Sequence, residues 1–261
     1  MAPVVSGTHA EPLLPGLVTA AAPRKRSFIN RPGAVLLTGA PKEKALPQLP
    51  ANETGAVYSC PINLDPTDCT RMDLVTSVNA DEIVEGMWLG VTVARQKDQW
   101  GGRVLACGHR YIRIRGPELS LWRMIGKCYD QNREGLCNMG ISGGITRTDV
   151  YVGTPGSFNW QGNVHVTWRG ATPDTSWDSR TQDFDDLQSK SFAYMGYSVT
   201  EEKKLLNQSE YTLVTGAPRD SNRGSVTLAK IEYSSLTPVQ VLYGDQVGSY
   251  FGNSTFATVD L

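Results

Sequence analysis

The chain has 261 residues, with 25 Lys and Arg against 26 Asp and Glu, and 40% of its residues are apolar. This length is enough for one large domain or two small ones with a buried core, and the net charge of -1 excludes a long-range field that attracts nucleic acid or anionic lipid. No apolar run approaches the roughly 20 residues that span a bilayer, while 26 Gly and 15 Pro are typical of a protein with many turns, so we expect β structure.

Residues 1–30 lack the features of a signal peptide, because their apolar stretch is short, is broken by Pro and precedes the basic residues 24–26. Three basic residues in a polar tail are more often a solvated turn than a targeting signal. We therefore expect residues 1–32 to be a divergent, disordered N-terminus. With no signal peptide and no transmembrane helix predicted, the sequence leaves the location of the chain itself open.

Five cysteines are unevenly spaced and include no C-x-x-C pair, which argues against a zinc ribbon or a thioredoxin-like motif. Cys60 and Cys69 flank a Pro-containing loop and favour a closed disulfide loop, which requires an oxidising compartment. The cysteines and the N-terminus therefore indicate different compartments.

A short apolar strand that ends in Gly, a small residue and Pro occurs three times, at residues 35–41, 150–155 and 212–218. Each copy is followed by a strand that opens with Gly, and a third element combines an aromatic residue or Met, an apolar residue and Gly. This third element lies at residues 88–93, 194–199 and 250–255, with a weaker copy at 138–143. The series gains a fourth unit if Cys-Gly-His at residues 107–109 replaces Gly-Ala-Pro.

A period of about 60 residues made of short strands, without helical periodicity, excludes a solenoid of helix pairs. Repeated small sheets with Gly-rich turns predict an all-β fold, a partial β-propeller with about three complete blades and incomplete first and last blades. In this interpretation, Gly and Pro end the strands in tight turns. The aromatic residues Trp88, Tyr194 and Tyr250 are expected to pack between blades.

Phe-Gly and Gly-Ala-Pro strands at this spacing are the FG-GAP repeat, and residues 33–261 resemble the N-terminal propeller of an integrin alpha subunit. The resemblance depends on NETGAVYSCP at 52–61, GGRVLACGHRY at 101–111, TLVTGAPRDSNRG at 212–224 and GDQVGSYFG at 244–252. The sequence looks closest to subunits without an inserted I domain, and GHRY with MIGKCY leans toward the laminin-binding subgroup. The resemblance thus divides the chain into residues 1–32 and a propeller region, residues 33–261.

The resemblance implies a seven-bladed propeller that pairs with an integrin beta subunit and binds an extracellular-matrix protein such as laminin at the cell surface. It also implies two disulfides, Cys60 with Cys69 and Cys107 with Cys128. Cys137 is then expected to be a free thiol, because the segment 130–135 is too short to contain the partner that the family has there.

The calcium loops of the family follow an Asp-Leu pair in the later blades, and Asp260 would begin such a loop, which is absent from this sequence. Oxygen ligands at alternate positions are needed to wrap calcium. We therefore expect no complete metal site and no cofactor in this chain, and we expect Asp260 to be an ordinary carboxylate at the end of a strand.

Candidate residues for the beta-subunit interface are Phe158 and Trp160, which flank Asn159, together with Tyr194. The resemblance implies that aromatic rings on the upper face form a cup for a cation from the beta subunit, and ring faces suit a cation. For Trp160 and Tyr194, packing between blades is an equally favoured interpretation. The long loop 171–190, which contains Trp177 and Phe184, is either a binding loop or, slightly more favoured, a solvated one.

Residues 140–144 match the G-x-S-x-G pattern of hydrolases, but a strand follows them instead of the required helix. No phosphate loop and no H-E-x-x-H motif is present, so the sequence predicts no enzyme. The alternatives to a fragment of an adhesion-receptor subunit are a soluble propeller-like interaction module and a non-functional splice product.

Three N-x-[ST] sequons are present. Asn52 and Asn207 lie in polar turns and are predicted to be glycosylated in a secreted chain, whereas Asn253 is predicted to lie in a strand and to stay unmodified. An open arc of blades would expose apolar faces and unpaired strand edges, so residues 33–261 alone are expected to be aggregation-prone, to stay off the cell surface and to support no adhesion.

Overall fold

The computed structural model describes residues 35–62, 66–96, 102–115, 121–130, 133–134, 140–168, 181–182, 184, 191–232 and 235–257. Strands account for most of the regular structure in these ranges. They are β1 (Val35–Ala40), β2 (Ala56–Pro61), β3 (Thr70–Met72), β4 (Glu82–Ile83), β5 (Thr92–Arg95), β6 (Val104–Gly108), β7 (Ile112–Arg115), β8 (Leu121–Met124), β9 (Lys127–Asp130), β10 (Arg133–Glu134), β11 (Ser142–Ile145), β12 (Asp149–Gly153), β13 (Val164–Trp168), β14 (Thr181–Gln182), β15 (Ser198–Lys203), β16 (Tyr211–Ala217), β17 (Ser225–Ile231) and β18 (Leu236–Tyr243). The helical elements are single turns, α1 (Ser157–Trp160) and 3-10 turns at Pro66–Asp68 and Asp220–Asn222.

Four antiparallel sheets follow one another along the chain, and each takes its strands in chain order. The first blade contains β1, β2 and β3, and the second contains β5, β6, β9 and β10. The third blade contains β11 to β14, and the fourth contains β15 to β18. The predicted all-β fold of partial propeller blades is confirmed, with three four-stranded blades after a three-stranded first blade in the described residues.

Glycines explain why the two halves of the repeat recur together. A Cβ on Gly153 would lie 1.9 Å from the carbonyl oxygen of Gly196, and a Cβ on Gly216 would lie 1.8 Å from that of Gly252. Gly153 ends β12 and Gly196 precedes β15 of the next blade, while Gly216 lies near the end of β16 and Gly252 follows the fourth blade. Because no side chain fits this backbone contact, both positions of these pairs require Gly, whereas Cys107 takes the first position where the second blade meets the third.

Three apolar clusters fill the spaces between the blades. The first joins the first blade to the second, the next joins the second to the third, and the last joins the third to the fourth. Their members come from alternate positions of β strands, since successive side chains of a strand point to opposite faces. Examples at each interface are Val57 with Val93, Leu105 with Val150, and Val166 with Leu213.

A side sheet of β4, β7 and β8 interrupts the repeat, and the sequence did not predict it. Strands β7 and β8 form a hairpin between β6 and β9, and β4 precedes the second blade and pairs with β7. A buried ion pair joins this sheet to the blade, with Lys127 Nζ 2.7 Å from Glu82 Oε1. The hydroxyl of Tyr111 donates to the same oxygen at 2.6 Å.

The two disulfides that the resemblance implies are present, Cys60 with Cys69 and Cys107 with Cys128. Cys107 and Cys128 lie directly opposite each other on β6 and β9, so their bond crosses two paired strands of the second blade. Cys137 and Asp260 lie outside the described residues, and the expectations for them stay predictions.

Two placements that the sequence suggested are corrected. Asn253 does not lie in a strand, because its backbone N–H donates to the carbonyl of Tyr250 in an exposed turn. Phe184 is not a loop contact in solvent, because its side chain is 3% exposed and belongs to the cluster between the third and fourth blades. The backbone of Phe184 is held there by the side-chain amide of Asn163. Trp177 lies outside the described residues.

Candidate protein-protein interface

Trp88, Tyr194 and Tyr250 occupy the same place in three copies of the first-strand element. Each has a left-handed backbone, with φ of 60°, 60° and 53°. The next residue forms an isolated parallel bridge with the glycine that precedes β2, β13 or β17 in the preceding blade, pairing Leu89 with Gly55, Met195 with Gly162 and Phe251 with Gly224. Since the same backbone bonds hold all three residues, they lie at the same end of their blades, which we call the aromatic face.

The residue that packs between blades is the one after the aromatic residue. Leu89 is 2% exposed and Met195 is 6% exposed, whereas Trp88 and Tyr194 are only partly buried. The buried contact between the blades is therefore made by Leu89 and Met195, and the rings of Trp88 and Tyr194 lie at its partly exposed edge. A left-handed backbone costs about 1–2 kcal/mol for a residue other than Gly, and it turns the ring out of the blade contact.

Trp88 is surrounded by positive charge. Arg110, which follows β6, places its guanidinium carbon 4.7 Å from the centre of the Trp88 ring. Lys42, which follows β1 in the first blade, places its Nζ at 5.9 Å from the same ring. His109 packs edge to face against the same ring at 5.7 Å, and burial and then the charge of Arg110 lower the pKa of its imidazole, which favours the neutral form.

Tyr194 lies in an equivalent environment with one difference. Arg219, which follows β16, lies with its guanidinium carbon 5.3 Å from the Tyr194 ring and donates from Nη1 to the hydroxyl at 3.4 Å. On the side of the preceding blade, Trp160 packs edge to face against Tyr194 at 5.7 Å. The third blade thus supplies an aromatic ring where the first blade supplies the amine of Lys42.

The turn α1 presents its aromatic side chains to solvent. Phe158, Asn159 and Trp160 all have left-handed backbones, with φ of 48°, 57° and 62°. Phe158 is 67% exposed and Trp160 is 50% exposed. Three successive residues in a sparsely populated conformation, two of them large and apolar in water, are typical of a binding site and not of a loop selected only for stability.

The structure brings two of the three sequence-predicted interface residues into contact, Trp160 with Tyr194, and places Phe158 in the same turn. Sequence reasoning missed Lys42, Arg110 and Arg219 as members of this face. A signal was present, since each is the third residue after Gly39, Cys107 or Gly216, which are three of the four reference positions that align the Gly-Ala-Pro element, the fourth being Gly153.

Ser142 of the G-x-S-x-G match has a structural role. Its hydroxyl donates to the carbonyl of Gly196 in the fourth blade at 2.8 Å, and Ser198 donates in the same way to Gly252 at 2.8 Å. The hydroxyl of Thr92 lies 2.7 Å from the carbonyl oxygen of Ile141 and 3.0 Å from that of Gly140. The serine is therefore one of a series of hydroxyls that join the first strand of a blade to the next blade.

Among the described residues, no group of three or more His, Cys, Asp and Glu is arranged to hold a metal ion. The helices within the same ranges fall short of the length and apolar character that a membrane span needs.

The comparison with known proteins gives relatives of one kind. No family model matches the chain. It is 38% identical to integrin alpha-3 of Mus musculus over 87% of its length, 33% identical to integrin alpha-7 of Rattus norvegicus over 89%, and 31% identical to integrin alpha-6 of Gallus gallus over 87%. The chain spans 24%, 24% and 25% of the length of these three relatives.

The all-β blades of the structure are consistent with these relatives, and the same relatives support the prediction that the chain is no enzyme. The chain therefore belongs to the integrin alpha subunits, a family of cell-adhesion receptor subunits, and contributes blades of their β-propeller.

Proposed function

We propose that the chain supplies the surface by which a cell-surface adhesion receptor pairs with an integrin beta subunit and binds an extracellular-matrix protein such as laminin. Pairing takes place on the aromatic face, through Phe158, Trp160 and Tyr194. The observation that carries this proposal is the packing of Trp160 against Tyr194 at 5.7 Å beside the exposed ring of Phe158.

Physical reasons favour these three residues as the centre of the interface. Trp and Tyr are enriched among the residues that contribute most to binding, because they bury a large area and lose little conformational entropy. The edge-to-face contact between Trp160 and Tyr194 already orders both rings, so a partner does not have to order them. The exposed ring face of Phe158 remains accessible to a cation of the partner.

We also propose that the described blades bind no cofactor themselves, and that calcium belongs to the later blades of the whole subunit. This proposal follows from the resemblance, in which the calcium loops come after the fourth blade. Matrix binding is assigned to loops of the same face, since loops on a rigid scaffold are the usual binding sites.

Co-precipitation with a beta-subunit ectodomain tests the pairing. The chain is expressed with an added signal peptide and an affinity tag, and the amount of beta subunit recovered is compared for the wild type and for Trp160→Ala and Tyr194→Ala. Each substitution is expected to reduce recovery at least tenfold, since truncation of a central aromatic residue costs about 2 kcal/mol or more.

The matched control is Trp168→Ala, because Trp168 is 49% exposed like Trp160 but pairs with Asp149 at the opposite end of the third blade. Its recovery should equal that of the wild type. Equal losses in all three variants, or no loss in any of them, would exclude the aromatic face as the pairing surface. Retention on immobilised laminin, measured with the assembled pair, tests the second half of the proposal.

A further inference from the structure

We infer that the partner surface above the aromatic face is acidic, and that its carboxylates bind Arg110 and Arg219 on either side of an apolar centre. This inference rests on the proposed function, because the partner meant is the beta subunit. It goes beyond that function in stating a charge pattern for the contact, which a cup for a single cation does not contain.

Two arginines already contact aromatic rings of the face in the free chain. Arg110 lies over the Trp88 ring at 4.7 Å and Arg219 over the Tyr194 ring at 5.3 Å. These two ring faces are therefore already occupied by cations of the chain itself. A partner cation at either ring would have to displace an arginine or lie beside one, and two like charges at such a distance repel each other.

Each of these arginines contacts a ring, with its guanidinium carbon 4.7 or 5.3 Å from the ring centre. The N–H groups of an exposed guanidinium that are not engaged by the ring match the two oxygens of a carboxylate. The ring contact also restricts the long Arg side chain before the partner arrives, which lowers the entropy that binding must overcome. Arg110 and Arg219 are both exposed, and each has the position of a pre-oriented carboxylate receptor.

The cations of this face are not neutralised by ion pairs. Within the described residues, no Asp or Glu forms an ion pair with Arg110, Arg219 or Lys42, although Glu43 and Asp220 adjoin two of them in the sequence. Lys42 and Arg110 contact the same ring at 5.9 Å and 4.7 Å, so their charges are within about 11 Å of each other. The three cations therefore remain available to carboxylates of a partner.

The cations and the exposed aromatic rings follow a definite order along the face. The third residue after the reference position is a cation in the first, second and fourth blades, namely Lys42, Arg110 and Arg219, but it is Gly156 in the third blade. There the exposed rings of Phe158 and Trp160 take its place. The face thus has an apolar centre with positive charge on both sides. A complementary partner has acidic groups opposite the two positive regions and apolar or cationic groups opposite the centre.

Charge reversal on the intact chain tests this pattern. The dissociation constant for a beta-subunit ectodomain is measured by surface plasmon resonance in 50 mM and 300 mM NaCl for the wild type, Arg110→Glu, Arg219→Glu and Arg110→Lys. Both Glu variants are expected to bind at least tenfold more weakly in low salt and to lose most of the salt dependence of the wild type. Arg110→Lys should retain an intermediate affinity, because it keeps the charge without the planar fork.

The control is Arg147→Glu, which makes the same change in net charge at an exposed residue in the turn between β11 and β12, at the opposite end of the third blade. Unchanged or tighter binding of Arg110→Glu and Arg219→Glu, with the wild type binding normally, would overturn the inference while leaving the pairing proposal intact. An equal loss in Arg147→Glu would also overturn it, because the attraction would then be a property of net charge. A wild type that binds no beta subunit would reject the proposed function and the inference together.

Discussion

Replacement of Lys127 by Met tests how the side sheet is joined to the second blade. The ammonium of Lys127 and the carboxylate of Glu82 are 2.7 Å apart, with side chains only 4% and 7% exposed. At an effective dielectric constant of about 20, the attraction between two such charges is about 6 kcal/mol. Desolvation costs several kcal/mol for each ion, so the intact pair adds little net stability.

Removal of Lys127 alone changes the free energy of unfolding by much more than the small net contribution of the intact ion pair. In Lys127→Met the carboxylate of Glu82 keeps the hydroxyl of Tyr111 and the backbone N–H of Asn79 as donors, but it loses its counter-charge inside the protein. An uncompensated buried charge costs about 3–5 kcal/mol. We expect the free energy of unfolding to fall by about that amount, measured by urea denaturation with far-UV circular dichroism at pH 7.

Two further variants separate this cause from a loss of packing. In the double variant Lys127→Met with Glu82→Gln, both charges are gone and the hydroxyl of Tyr111 still has an acceptor, so at least half of the lost stability should return. Arg113→Met is the control on the same sheet, because its ion pair with Asp81 is about 40% exposed and contributes about 0.2–1 kcal/mol. A cost for Lys127→Met as small as that of Arg113→Met would refute the reasoning.

The ion pair also makes the stability of the folded protein depend on pH. Burial by itself raises the pKa of Glu82, but hydrogen bonds from the backbone of Asn79 and from Lys127 and Tyr111 outweigh it, so the pKa lies below its ordinary value of 4.5. A carboxyl group with a lowered pKa in the folded state stabilises the protein above pH 4.5, and this contribution is lost as the pH falls through the folded-state value. The wild type should therefore lose stability below pH 4.5, and Glu82→Gln should lose less.

Three other predictions follow from single positions. Gly216→Ala places a Cβ against the backbone of Gly252, and we expect it to lower the free energy of unfolding by about 3 kcal/mol or more, measured by thermal or urea unfolding. The control is Gly86→Ala, where no atom lies within 4 Å of the added Cβ, so only the positive φ costs stability, about 1–2 kcal/mol. Ser142→Ala removes the hydrogen bond to Gly196 and should cost about 1 kcal/mol, with a loss above 3 kcal/mol contradicting a single hydrogen bond. Because Asn253 is exposed in a turn, we expect a glycan there in the secreted chain; peptide mapping after glycosidase treatment that finds only an unmodified site would contradict this.

The blades were predictable from the sequence because their contacts restrict residue type. Where the backbones of two blades are in contact, as at Gly153 and Gly196, only Gly fits, so the contact is recognisable in the sequence as a repeated glycine. The side sheet has no repeated residue of this kind. Its strands β7 and β8 occur once, and β4 has only two residues, so neither periodicity nor repetition indicates them.

The aromatic face was predictable only in part. Trp160 and Tyr194 were identified through the resemblance, but the outward direction of Trp88 and Tyr194 depends on a positive φ that the sequence does not encode for Trp or Tyr. The positions of Arg110 and Arg219 depend on that direction as well. The turn at Asn253 was missed because its Gly-Asn-Ser sequence follows an element that begins a strand in the other blades.

The hydroxyls that join the blades have a consequence for folding during synthesis. The acceptors of Thr92 lie 48 and 49 residues further along the chain, and the acceptors of Ser142 and Ser198 each lie 54 residues further. At about 5–20 residues per second, a ribosome needs roughly 2 to 11 seconds to reach these acceptors. The hydrogen bond from the first strand of a blade therefore forms only after its acceptor, further along the chain, has been synthesised. A pause in translation then leaves the most recently made blade without this bond and accessible to chaperones.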